Sequence, residues 1–131
     1  MAEHPNAALI RRMHRALAEG NYPPVLREIL AKDVVWHIPG RHPLAGEHGG
    51  IEAVLAAMGR FEELSGRSIR TQLHDLLAGD AHAVALLRAA GERAGRRYDA
   101  REVDIYHVQD GRITEFWSFS EDQRATDEFW S

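Results

Sequence analysis

The apolar positions of this chain change period as it proceeds. Leu9, Ile10, Met13, Ala16 and Leu17 recur at helical spacing behind Asn6, a suitable N-cap, and Gly20-Asn21 stops the run. Pro23 and Pro24 suit the first turn of a second helix, whose apolar stripe is Val25, Leu26, Ile29 and Leu30. Residues 33–38, D-V-V-W-H-I, are β-branched and aromatic and read as a strand, ended by Pro39-Gly40. Residues 41–50, R-H-P-L-A-G-E-H-G-G, read as a polar loop rich in glycine. Ile51, Val54, Leu55, Met58 and Phe61 mark a third helix that ends before Ser65-Gly66. Strands follow over 69–77, up to a Gly79-Asp80 turn, and over 83–90, up to a turn at 91–95.

The most informative stretch is 98–119, two β-rich runs joined by Asp110-Gly111. An Asp-Gly link favours a two-residue hairpin turn, because both central residues of a type I′ turn need positive φ. Counting outward pairs Gln109 with Arg112, Val108 with Ile113, Tyr106 with Glu115, Asp104 with Trp117 and Glu102 with Phe119. Opposed residues share a face, and side chains alternate along each strand. One face is therefore expected to carry Glu102, Asp104, Tyr106, Glu115, Trp117 and Phe119, a mixture that suits a pocket wall. Val103, Ile105 and Phe116 on the reverse face would be covered by a partner or a helix. Phe129 and Trp130 in the tail are expected to dock on the body.

The order is helix, helix, strand, helix, then a meander of strands. Such an order predicts an α+β fold, with a curved antiparallel sheet and three helices from the N-terminal half covering a pocket. The 131 residues are expected to form one domain. A net charge of -4 gives no footing for nucleic acid or an anionic membrane. With no cysteine, disulfides and thiol chemistry are excluded. No apolar run reaches a membrane span, and the first residues lack a secretory pattern, so a cytoplasmic location is expected.

Two stretches, W-H-I-P-G-R-H-P-L-A-G-E-H-G-G-I-E-A-V and V-D-I-Y-H-V-Q-D-G-R-I-T-E-F-W, resemble the nuclear transport factor 2-like superfamily, in its SnoaL-like and ketosteroid-isomerase-like branch. The resemblance covers nearly the whole chain. It implies a cone with a deep pocket, paired into a homodimer through the outer sheet. Steroid isomerases carry an oxyanion-donating Tyr on the first helix and a base before a Pro. Those positions are Met13 and Ile38 here, so that reaction is not expected. SnoaL-like cyclases carry an acid/base Asp in a D-I-Y run, which Asp104 matches, while Arg88 or a neighbour stands where their His would be.

Asp104 is accordingly the expected proton-transfer group, and Tyr106 a donor to a developing oxyanion. Trp36, Trp117 and Phe119 are expected along the pocket wall, and His42 and His48 at its mouth. Arg88 would anchor a substrate carboxylate or neutralise Asp104, and Asp122 would cap the cavity. Each has a plainer reading. Asp104 would then pair with Arg101 or Arg88, and the aromatic residues would simply pack. The spacing of His37, His42, His48, His74, His82 and His107 matches no metal-ligand pattern, and no cofactor is expected. Two functions remain open. One is cofactor-free acid/base chemistry of isomerase, cyclase or dehydratase type on a mostly apolar small molecule. The other is a non-catalytic binding or assembly domain of the same fold.

Overall fold

Alternating burial along the strands places the helices on one face of a six-stranded sheet. The computed structural model describes residues 3–131. Its elements are α1 (Pro5–Glu19), α2 (Pro23–Ile29), β1 (Leu30–Ile38), β2 (Gly46–Gly49), α3 (Ile51–Leu64), β3 (Arg70–Ala78), β4 (His82–Arg93), β5 (Arg96–Gln109), β6 (Arg112–Ser120) and α4 (Gln123–Trp130). The strand order is β2-β1-β6-β5-β4-β3, and the curved sheet stays open. All neighbours are antiparallel except β1 and β6, which run parallel. The sheet is therefore mixed rather than wholly antiparallel.

Helix α1 buries Ile10, Met13 and Ala16, as their spacing requires. Gly20 closes it in the left-handed region, with φ of 80°. The N-cap is His4 rather than Asn6, and its ring accepts from the Asn6 N–H. The Asn6 side-chain amide instead donates to Gly79 O and Asp80 O, fastening the helix to the β3–β4 turn. Beneath α1, β4 presents the small buried side chains Ala83 and Ala85. Two elements differ from expectation. Part of the glycine-rich loop is not free but pairs with β1 as β2. The docked tail forms a fourth helix, α4.

The β5–β6 turn forms as read from the sequence. Asp110 and Gly111 have φ of 52° and 75°, and Gln109 and Val108 meet Arg112 and Ile113. Beyond them the ladder holds a β-bulge at Thr114, and His107 meets Glu115. A bulge adds one residue to one strand, and a one-residue slip reverses every later side chain. Tyr106 now opposes Phe116, Asp104 opposes Ser118 and Glu102 opposes Ser120. Trp117 and Glu115 turn outward instead of sharing a face with Asp104. Phe116, expected on the reverse face, is 1% exposed in the core.

Helix α4 closes one end of the molecule. Phe129 and Trp130 are buried against Tyr98, Ala89 and Ala100. Trp130 sets its ring edge-on to Phe61 at 4.7 Å. The helix is seated against Gly40, which holds φ of 115°. Gln123 donates to Pro39 O at 3.2 Å, and Asp127 accepts from the Arg41 N–H at 3.1 Å. A Cβ at position 40 would collide with both of those side chains. Gly40→Ala should therefore cost about 1–3 kcal/mol, the range for a strained backbone position. Calorimetry should find the melting temperature several degrees lower, and an unchanged value would refute this seat for α4.

Candidate active site

Three cross-strand rows supply Trp36, Phe116, Asp104, Ser118, Glu102, Ser120 and Leu87 to the wall of a cavity of about 490 Å³ between the sheet and the helices. The first row runs Trp36, Phe116, Tyr106, Ala83 across four strands. Its rings stack, Trp36 on Phe116 at 5.3 Å and Phe116 on Tyr106 at 5.5 Å. The second row is Ser118, Asp104, Ala85, and the third is Ser120, Glu102, Leu87. Met13 and His14 of α1, Met58 and Phe61 of α3, and Thr126 and Trp130 of α4 cover the cavity.

Asp104 sits in the wall, 9% exposed. Tyr106, wholly buried behind it, donates its hydroxyl to Asp104 Oδ2 at 3.1 Å. That hydroxyl lies 3.2 Å from His14 Nε2, so the imidazole Nε2–H donates to the tyrosine oxygen. The other ends of this chain are bare: Asp104 Oδ1 and His14 Nδ1 are buried with no hydrogen-bond partner among the described residues. Ser118 stands beside the carboxyl but completes no hydrogen bond to Oδ1. It brings no positive charge either, and itself accepts from the Trp36 indole N–H at 3.0 Å. Burial pushes the Asp104 carboxyl up to about 6, against the opposing pull of Ser118 and Tyr106. Burial likewise holds His14 down at about 4, so its ring is neutral. The Tyr106 hydroxyl is raised well above its ordinary range, by burial first and then by the adjacent carboxylate.

A second polar cluster lies next along β5. Glu102 Oε2 accepts from the Tyr98 hydroxyl at 2.7 Å. The same hydroxyl touches Ser120 at 3.1 Å and Thr126 at 2.9 Å. Burial pushes Glu102 up to about 7, the Tyr98 hydrogen bond opposes this, and the charge of Asp104 adds to the rise.

Of the residues expected at the site, the structure gathers Asp104, Trp36 and His42 at the cavity. Tyr106 supports Asp104 from behind. Its hydroxyl is engaged with Asp104 and His14 rather than open to a ligand. His42 is 5% exposed, and its Nδ1 accepts from the Leu44 N–H. Phe119 reaches the cavity edge, but its row opposes Val103 on the outer face and leaves it 42% exposed. Trp117 is on the outer face, stacked on His37 at 4.7 Å, because of the bulge. Arg88 also points outward and grips Asp99 through two 2.9 Å bonds, far from neutralising Asp104. His48 lies on edge strand β2, held by Leu44 O. Asp122 caps α4 by accepting from the Ala125 N–H. The histidines divide among these surroundings, and among the described residues no group of His, Asp and Glu is arranged to hold a metal.

Sequence reasoning missed His14, Ser118, Ser120 and Thr126. His14 follows Met13 and stands four residues after buried Ile10, so helical spacing marked its face. The two serines were hidden by the bulge.

A one-sided curved sheet, roofed by helices over a cavity that holds carboxyl groups, defines an α+β cone of the nuclear transport factor 2-like type. The chain belongs to the SnoaL-like domain family, whose pattern matches residues 10–116. It is 33% identical to the uncharacterized protein Rv0034 of Mycobacterium tuberculosis, over the full length of both. It is 31% identical to Bal32a from a soil-derived mobile gene cassette, with a TM-score of 0.92 and 97% of each chain covered. TerC, co-crystallized with polyporic acid, shares the fold at 16% identity, with a TM-score of 0.84 and coverage of 96% of this chain and 98% of its own. Among the described residues no helix is long and apolar enough to cross a membrane.

The raised Asp104 has a consequence for stability. The folded value, about 6, exceeds the ordinary 3.8, so between these values the folded state holds more protons than the unfolded one. Its contribution therefore falls as pH rises from about 4 to about 6, then levels off. Asp104→Asn removes that decline. At pH 7.5 the variant should be more stable than the parent by up to about 3 kcal/mol, from 1.36 kcal/mol per pH unit. Denaturant titrations at pH 4 and 7.5 check this: a gap that does not widen with pH refutes the burial cost.

Proposed function

We propose that this protein is a small-molecule enzyme of the SnoaL-like type that moves a proton with Asp104, without a cofactor, on a mostly apolar ligand. The observation that carries this reading is Asp104 Oδ1, buried in the cavity wall and unpartnered among the described residues. A buried carboxyl oxygen without a partner is costly, and structures retain few of them. A domain used only for assembly needs neither the cavity nor the bare oxygen. At neutral pH a carboxyl near 6 is mostly ionised, yet basic enough to take a proton from carbon beside a carbonyl. Isomerisation, aldol-type cyclisation and dehydration all begin with that step. Tyr106 fixes Oδ2, and neutral His14 holds Tyr106 without bringing a positive charge that would weaken the base. The stacked rings of Trp36 and Phe116 accept the apolar body. TerC, crystallised with polyporic acid in the same fold, agrees with a ligand-binding cavity.

Benzylacetone supplies a simple test, since deuterium exchange beside its carbonyl is visible by proton NMR. The protein should accelerate that exchange, and Asp104→Asn should lower it about 100-fold or more, the usual contribution of a positioned base. Exchange at the wild-type rate in the variant removes Asp104 from this role.

We also propose a homodimer through the outer sheet. Val84, Ile105 and Trp117 form one cross-strand row there, and Leu86, Val103 and Phe119 the next. These six apolar side chains share one face, which the helices leave uncovered. Ile105→Asp would place a charge at its centre and should give monomers by analytical ultracentrifugation. A variant that sediments like the parent dimer, or a parent that is monomeric, refutes this pairing.

A further inference from the structure

Resting on the Asp104 reading, we infer that Glu102 is a second proton-transfer group of the same cavity, and that the substrate is a β-hydroxy carbonyl compound that loses water. Several surface carboxylates of this molecule take arginine partners: Asp99 with Arg88, Glu121 with Arg101, Glu52 with Arg27. Glu102 and Asp104 take none among the described residues. Both line one cavity, in adjacent rows of one strand face. Two such acids cannot both be charged cheaply, so the first proton lost and the last one kept belong to the pair. Around neutrality the favoured arrangement is Asp104 ionised and Glu102 protonated, a base and an acid held side by side.

Their surroundings assign the roles. Asp104 adjoins the ringed row, which suits the carbon skeleton. Glu102 lies among hydroxyls, Tyr98, Ser120 and Thr126, which suit an oxygen substituent. Same-face neighbours on a strand are spaced by roughly 7 Å. The α-carbon and β-oxygen of one ligand bridge that gap once a hydrogen bond is added at each end. Asp104 takes the α-proton, the C–H electron pair becomes the C=C bond, and the C–O bond breaks. The departing oxygen takes the Glu102 proton and leaves as water. Asp104 ends protonated and Glu102 ionised, and exchange with water resets both. No oxidant or metal is required.

The aldol adduct of acetone and benzaldehyde tests both steps. Its α-proton exchange is read by NMR in deuterium oxide, and its dehydration by the absorbance of benzalacetone. Wild type should do both. Glu102→Gln should lose dehydration about 100-fold or more, and lose far more of it than of exchange. Asp104→Asn should lose both. Tyr98→Phe removes the hydrogen bond that favours ionised Glu102, so the alkaline limb of the dehydration profile should move to higher pH. A merely structural Tyr98 or Glu102 would leave that limb in place. This second variant decides the matter if Glu102→Gln does not fold. Dehydration by Glu102→Gln at the wild-type rate overturns the role of Glu102. Wild-type exchange without dehydration overturns the substrate class but spares the Asp104 reading. Neither reaction in wild type sinks both.

Discussion

A single unpaired residue in the β5–β6 ladder, Thr114, decides which side chains meet inside this cone. Without it, β6 would send Glu115, Trp117 and Phe119 inward. With it, Phe116, Ser118 and Ser120 face the cavity instead. The aromatic floor depends on this choice, because Phe116 is the middle ring between Trp36 and Tyr106. So does the indole–serine hydrogen bond that fixes Trp36. The outer surface is settled by the same slip. Trp117 and Phe119 complete apolar rows there with residues of β4 and β5, while Glu115 falls between His37 and His107. Bulges next to sites re-aim side chains in this way.

Asp104 and Glu102 are held with no cation paired to either among the described residues, and the arginines that line the cavity, Arg67 and Arg70, are exposed. His14 and His42 are both driven toward the neutral form by burial, and Arg88 and Arg101 are committed to surface partners. The groups that favour the charge of Asp104 are therefore the dipoles of Ser118 and Tyr106. That arrangement costs stability and keeps the carboxyl near the range where protons are exchanged. The same surroundings dictate what can enter. A ligand contributing apolar surface and hydrogen-bonding oxygens is compatible with them, and an anionic group set beside Asp104 meets like charge.

Most of the architecture was legible from pattern alone. Helix stripes, proline starts, the Gly20 stop and the Asp110-Gly111 turn are local signals, and local signals survive folding. Asp104 was legible too, since β5 is uninterrupted and its alternation can be counted. The β6 side of the pocket was not. A bulge at Thr114 leaves no mark in a stretch of alternating residues, and counting past it inverts Trp117 and Ser118 together. Arg88 was misplaced for a related reason: its strand register could not be fixed without the ladder. His14 was masked by Met13 beside it, which carries the apolar stripe of the helix. Strand β2 lay in a glycine-rich segment, where propensity argues against pairing, and the edge of β1 overrode it.

The parallel join between β1 and β6 also bears on how the chain folds. Trp36 must wait for Ser118, 82 positions later, before its indole N–H finds its partner. Pairings so distant in the chain are slow to form, because the intervening loop must first be closed at an entropic cost. Until then β1 has only β2 beside it, a nearby strand that covers one of its two edges. The short β2 hairpin thus acts as a local guard during assembly, shielding half of a strand whose permanent neighbour arrives last.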